Sequence, residues 1–156
     1  MVVFQSGQVG AAAATRANRY REYLESHTVR FGFPAEVAAL STRTRNGVSN
    51  DIPPVERWHN ILPVLRVAER LREQFGPVTV HSAYRSRLYN LAVGGVGDSR
   101  HAQNDALDLS CASGTPAEWA TFLRGLRDAA VFTGGIGTYA TFVHVDTRGN
   151  VANWVG

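Results

Sequence analysis

His101 and Asp108 stand seven positions apart, with Gln103-Asn104-Asp105 between them. Asp108 lies in Ala106-Leu107-Asp108-Leu109-Ser110, an alternating run that reads as a β-strand. With Leu107 and Leu109 facing the core, Asp108 points the other way, beside Ala106 and Ser110. A carboxylate inside an apolar strand is costly unless something compensates it. A metal ion would do so. The run Thr141-Phe142-Val143-His144-Val145-Asp146 repeats the design: Val143 and Val145 share one face, and Phe142, His144 and Asp146 share the other. His101, Asp108 and His144 then make a two-histidine, one-carboxylate set. Three protein ligands and an open position are the usual arrangement of catalytic zinc, which acidifies water and polarises a carbonyl. A capped turn and a hydrogen-bonded strand aspartate would use the same spacing, and the spacing alone does not choose between them.

The elements that must position these residues follow from periodicity. Residues 1 to about 14 have weak periodicity and are expected as an arm. Thr15 to about Ser26 reads as a helix with Tyr20 and Leu24 at i, i+4. Phe31-Gly32-Phe33-Pro34 breaks it, and a short helix follows over Ala35 to Leu40. Residues 41–52 are polar and turn-rich, so they are expected as a loop. Pro53-Pro54 opens a long core helix that runs to Phe75, with Asp51 as its cap. Pro63 implies a kink or a restart near Asn60. His59, near its start, suits a helix surface better than a ligand position.

Val78 to Tyr84 alternates as a strand, and a Gly-rich turn covers 93–98. Thr115-Pro116-Ala117-Glu118 is a capping box that starts a helix to about Asp128, burying Trp119, Phe122, Leu123 and Leu126. Val131-Phe132 is expected as a short strand, Gly134 to Gly137 as a tight turn, and 141–146 as the final strand. Helices come early and strands late, which predicts an α+β fold with a small antiparallel sheet packed with helices.

The 156 residues suffice for one domain with a real core. All sixteen basic side chains are arginine, and the net charge is +3. The guanidinium fork suits carboxylate or phosphate partners, although a bias of genome composition explains the usage as readily. The arginines form no basic run and no aromatic interleaving, which argues against nucleic-acid binding. Cys111 is the single cysteine, so no internal disulfide forms and a buried, inert thiol is expected. No apolar run is long enough to span a membrane, and no signal peptide is evident at the N-terminus.

Several motifs now fall into order: Tyr84-Arg85-Ser86, Tyr89-Asn90, Val93-Gly94-Gly95-Val96, Ser99-Arg100-His101, Ala106-Leu107-Asp108, and Gly135-Ile136-Gly137 continuing through Tyr139 to Phe142-Val143-His144-Val145-Asp146-Thr147-Arg148-Gly149. Together they resemble the zinc D-Ala-D-Ala carboxypeptidase superfamily of peptidoglycan peptidases, in its compact branch with a Phe-Val-His-Val-Asp strand. The resemblance spans about residues 52–156. It divides the chain into residues 1–51, an arm and helices of uncertain role, and 52–156, a zinc peptidase-like domain that forms one unit with the preceding helices.

The resemblance implies the fold shared with the hedgehog signalling domain, and one zinc ion on His101, Asp108 and His144. It also implies Arg85 as a clamp on a substrate carbonyl or carboxylate, with Ser99 and Tyr84 at the substrate. A structural ion pair is the competing role for Arg85. Two departures stand out. Many members have glycine where this chain has Asn104, a residue that tolerates the same left-handed backbone. Better-known members carry a catalytic acid where this chain has Thr141. Asp146 is then the nearest replacement, as general base or as an orienting partner of a ligand, with the base role preferred; His81 and Asp98 are weaker substitutes.

The expected activity is hydrolysis of peptide stems or cross-links in bacterial cell wall, as a phage lysin or a virion-associated hydrolase beside phage structural proteins. Its location would be the virion, or the host cytoplasm before lysis. The rival expectation is a zinc-binding structural or binding domain of a phage tail or capsid, without turnover.

Overall fold

Leu107, Leu109, Val143 and Val145 are fully buried, and the two strands that carry them lie side by side inside a five-stranded sheet. The structure, a computed structural model, describes residues 5–27 and 33–156. Its elements are α1 (Gln5–His27), α2 (Phe33–Leu40), β1 (Thr44–Arg45), β2 (Val48–Ser49), a 3-10 turn (Val55–Ile61), α3 (Leu62–Phe75), β3 (Val78–Ser82) and α4 (Arg87–Ala92). A second 3-10 turn (Arg100–Gln103), β4 (Ala106–Cys111), α5 (Pro116–Asp128), β5 (Gly135–Thr138), β6 (Val143–Asp146) and β7 (Ala152–Val155) complete the order. The sheet runs β3-β4-β6-β5-β7. The architecture is α+β as predicted. The sheet is mixed, because β7 adds a parallel edge to the antiparallel pairs β3-β4, β4-β6 and β6-β5.

The core forms where the apolar stripes meet. α3 buries Leu62, Val64, Leu65, Val67, Ala68 and Leu71, each of the larger ones stabilising by roughly 1.5–3 kcal/mol. Pro63 sits in its first turn, where a missing N–H costs nothing, so the proline restarts the helix after the 3-10 turn. Gly76, at φ +81, ends it. In α5, the Thr115 hydroxyl accepts the Glu118 N–H at 3.3 Å, and Phe75 meets Phe122 edge to face. Tyr20 and Leu24 of α1 are fully buried in the same core cluster as α3 and the sheet.

Several expectations need correction. Residues 5–14, expected as part of an arm, are the first turns of α1, as the alanine run favours; residues 1–4, and Phe31-Gly32 of the expected break, lie outside the described residues. The expected loop 41–52 contains the β1–β2 hairpin, whose two-residue turn has Asn46 at φ 50 and Gly47 at φ 75. Asp51 does not cap a helix; its carboxylate takes its neighbour Ile52 N–H and pairs with Arg16. Val131-Phe132 is no strand but the exit from α5, with Val131 N–H bonded back to Leu126 O. Residues 135–137, expected in a turn, are in β5, and β6 is not the last strand.

Candidate metal centre

Strand register sets the site. In the β4–β6 pair Asp108 lies opposite His144, and Ala106 opposite Asp146. Alternation therefore puts Asp108, His144 and Asp146 on one face while Leu107, Leu109, Val143 and Val145 enter the core. His101 arrives from the second 3-10 turn. Ser99 starts that turn by accepting the His101 N–H at 3.3 Å, and Asn104 ends it in the left-handed conformation at φ 61, ψ 35. Asparagine thus supplies the left-handed turn expected at this position. Its side chain does more: Asn104 Nδ2 donates to Arg57 O at 2.8 Å and bonds the Tyr20 hydroxyl at 3.3 Å. α1 is thereby pinned to the turn that carries His101.

His101, Asp108 and His144 each offer a donor atom, all within 4.8 Å of one another, and all three residues are buried. Asp108 Oδ1 is the meeting point, 3.2 Å from His101 Nε2 and 3.0 Å from His144 Nδ1. Each residue is anchored by its other polar atom. His101 Nδ1 lies 2.7 Å from Ala83 O, which can only accept, so Nδ1 carries the proton and Nε2 faces the cluster. Asp108 Oδ2 accepts from Arg85 Nη2 at 3.1 Å. His144 Nε2 lies 2.9 Å from Asp146 Oδ2.

Asp146 itself is fully buried and surrounded by donors. Its Oδ1 accepts from Gly135 N–H at 2.9 Å, Arg148 N–H at 3.2 Å and Arg148 Nε at 2.8 Å, and its Oδ2 from Arg148 Nη2 at 2.6 Å. Burial alone would raise its pKa. The Arg148 hydrogen bonds, then those of His144 and Gly135, outweigh burial and hold the carboxyl well below the usual range. Asp108 shows the same balance: burial raises, and the charge and hydrogen bond of His101, with those of His144, bring it below the usual range. For His144, burial lowers the pKa, but the hydrogen bonds and charges of Asp108 and Asp146 raise it above 6.5. Without a cation the three donors share protons; two imidazoles and a carboxylate are also the donor set that zinc takes, with the outer atoms already held.

The cluster lies in the wall of a cleft of about 560 Å³, a volume suited to a peptide-sized ligand. Its lining includes Arg85, Asp98, Ser99 and Arg100, together with Tyr139, Phe142, Arg148 and Trp154. Tyr139 stacks on Phe142 at 4.4 Å, and its hydroxyl accepts Trp154 Nε1–H at 2.9 Å. The Trp154 ring lies 5.0 Å from the His144 ring, with the Arg148 guanidinium over it.

Of the residues singled out by sequence, His101, Asp108, His144, Asp146, Arg85 and Ser99 come together here. Tyr84 is buried, its pKa raised by that burial, and it is not among the cleft residues. Thr141 is exposed and does not line the cleft; Asp98 does. His81 lies outside the cleft, bonded to Ser110 Oγ at 2.7 Å, and His59 is exposed. Cys111 is half-buried against the core, which pushes its thiol up to about 11. Sequence reasoning missed the roles of Tyr139, Arg148 and Trp154. The glycines at 135 and 137 were the available signal, since each lies too close to this group for a side chain. A Cβ on Gly135 would stand 2.6 Å from Asp146 Oδ2, and one on Gly137 2.4 Å from Trp154 Nε1.

A buried His-Asp-His set in the wall of a peptide-sized cleft, on a mixed sheet packed with helices, defines an α+β protein with a cluster that could bind a metal. The model of one family, Peptidase M15, matches residues 31–146. The chain belongs to that family, the zinc D-Ala-D-Ala carboxypeptidase superfamily, which supports a zinc-dependent metallopeptidase. The match begins upstream of residue 52, where the sequence resemblance begins, and so takes in α2 and the β1–β2 hairpin. No curated protein matches the chain.

Proposed function

We propose that this M15 peptidase hydrolyses peptide stems or cross-links of bacterial peptidoglycan, with one zinc ion held by His101 Nε2, Asp108 Oδ1 and His144 Nδ1. The convergence of these three buried atoms beside a peptide-sized cleft carries the reading. Bound zinc supplies Lewis acidity toward the scissile carbonyl and lowers the pKa of a water ligand. The chain does the rest. Arg85 is held by Asp108 and by Ser82 Oγ at 2.8 Å, and its remaining donors face developing negative charge on the substrate. Ser99 lines the substrate path. Asp146 orients His144, because its oxygens are filled by Arg148, Gly135 and His144 and its carboxyl resists protonation. Proton transfer then falls to Asp98, the cleft carboxylate outside the donor set and accessible to water. A phage lysin or a virion hydrolase is the setting we favour.

The exposed Thr141, where an acid stands in better-known relatives, favours a second reading: a zinc-binding module that holds cell wall without cutting it. Zymography on purified peptidoglycan decides between them. Clearing that a chelator abolishes and zinc restores, and that His101→Ala loses together with bound zinc, supports the peptidase. Binding without clearing supports the module. Full clearing by His101→Ala overturns the ligand assignment.

A further inference from the structure

Beside the metal cleft lies a second, smaller hollow of about 170 Å³. Arg43, Arg45, His81 and Arg85 line it, and no acidic side chain does among the described residues. Arg85 and Val93 border both cavities, so the hollow adjoins the cleft. Its position is built by the β1–β2 hairpin. Arg43, just before β1, and Arg45, within it, both line the hollow, while Thr44 meets Ser49 Oγ at 3.0 Å.

The hairpin is fixed at several points. Arg43 Nη1 donates to His81 O at 3.3 Å, and Asn46 Nδ2 to Ala92 O at 2.7 Å. Asn50 Nδ2 donates to Tyr84 O at 2.8 Å, and its Oδ1 accepts Ser86 N–H at 2.8 Å. Such anchoring would be surplus in a plain surface loop. Neither Arg43 nor Arg45 makes an ion pair with an acid among the described residues, whereas Arg85, Arg100 and Arg148 each do. Guanidinium groups that line one hollow without a counter-charge of their own leave a positive potential that an anion relieves.

We propose that this hollow is a carboxylate subsite, which receives an acidic group of the peptide lying in the metal cleft. The guanidinium fork matches a carboxylate in two-point geometry, and the hollow has room for such a group but not for a further chain. The proposal rests on the peptidase reading for the identity of the ligand as a stem peptide. It uses no step of hydrolysis. Stem peptides carry the required group: the α-carboxylate of a γ-linked D-glutamyl residue, which an amide can replace without changing the backbone.

The test is titration of L-alanyl-γ-D-glutamyl-L-lysyl-D-alanine, with that carboxylate free or amidated, into the zinc-loaded full chain at low salt. Product is followed by chromatography in the same samples. The free acid is expected to bind about tenfold more tightly than the amide, in keeping with one charge-assisted contact. The double variant Arg43→Gln, Arg45→Gln, with thermal melting confirming its fold, should bind the amide as the parent does and lose the preference. Equal binding of the two peptides, no binding of either, or a preference that survives the double substitution overturns the subsite. Selective binding without any product keeps the subsite and removes the peptidase reading; product without selectivity does the reverse.

Discussion

Asp108 divides its labour between two oxygens, one turned to both histidines and one to Arg85. That Asp108 needs partners was legible, since a charged residue between two buried leucines demands them, but its bond to Arg85 was not, because the sequence reading turned Arg85 to the substrate. His144 was legible by the same alternation. The state of Asp146 was not, because its donors come from the backbone of Gly135 and from an Arg148 fork that only the folded turn aims. As proposed, Asp146 orients His144 while Asp98 moves the proton, in place of the base role first preferred for Asp146, and experiment separates the two. Asp146→Asn keeps an acceptor for His144 but loses the charge that holds Arg148. It is expected to weaken zinc affinity about 10- to 100-fold and to recover most turnover at saturating zinc. Breaking so buried a pair also costs about 3 kcal/mol. Asp98→Asn should show the opposite pattern, with zinc affinity unchanged and kcat reduced about 100-fold or more. Zinc titration with a chromogenic chelator and rates at saturating metal read both variants. A lost kcat in Asp146→Asn at full zinc occupancy would return the proton to Asp146.

At the scale of elements, what could be read was what repeats locally. α3 and α5 have apolar stripes and capping residues, and β3, β4 and β6 alternate strictly, so they stand within a few residues of expectation. β5 and β7 lack such a pattern. β5 is Gly-Ile-Gly-Thr, a composition that reads as a turn unless a partner crowds it, and β7 is an edge strand that pairs with β5 in parallel. The pairing explains the glycines. Gly137 lies opposite Trp154 in register and leaves the space its indole occupies against His144. Gly137→Ala places a methyl 2.4 Å from Trp154 Nε1, against a ring that Tyr139 and Arg148 hold in place. The expected cost is about 1–3 kcal/mol of stability in urea unfolding, with overpacking as its cause. Trp154 should also move off His144, which zinc-dependent quenching of tryptophan fluorescence would register as a smaller change than in the parent. An unchanged unfolding midpoint would show that β7 gives way freely and that the aromatic wall is not fixed.

For the whole molecule, the buried charges of the site tie fold stability to pH in two opposing ways. In the metal-free protein His144 titrates above 6.5, raised by Asp108 and Asp146. Its proton therefore stabilises the fold fully below about 6.5, and that contribution is lost as pH rises through the raised value. Asp108 and Asp146 are depressed, so their contribution is present above about 3.8 and is lost as pH falls through their folded values. The metal-free protein is thus most stable in mildly acid solution and softens toward pH 8. Zinc held as proposed would reverse the upper limb, since it would need His144 without a proton on Nδ1 and would have to displace that proton wherever the histidine is charged. Metal binding to the folded state raises the melting temperature in proportion to occupancy. The zinc-induced rise should accordingly be small near pH 5.5 and increase steadily toward pH 8, while the chelated protein melts lower over the same interval. The effect reaches beyond the site because Asn104 links the His101 turn to Tyr20 of α1, and Arg127 joins the end of α5 to Gly134 O and Asn153 Oδ1 around the β5–β7 edge. One cooperative transition should carry it. Melting curves with and without zinc across that range test both limbs at once: a zinc-induced shift independent of pH would exclude His144 as a ligand, and a separate early transition for α1 would show that the helix does not share the stability of the metal centre.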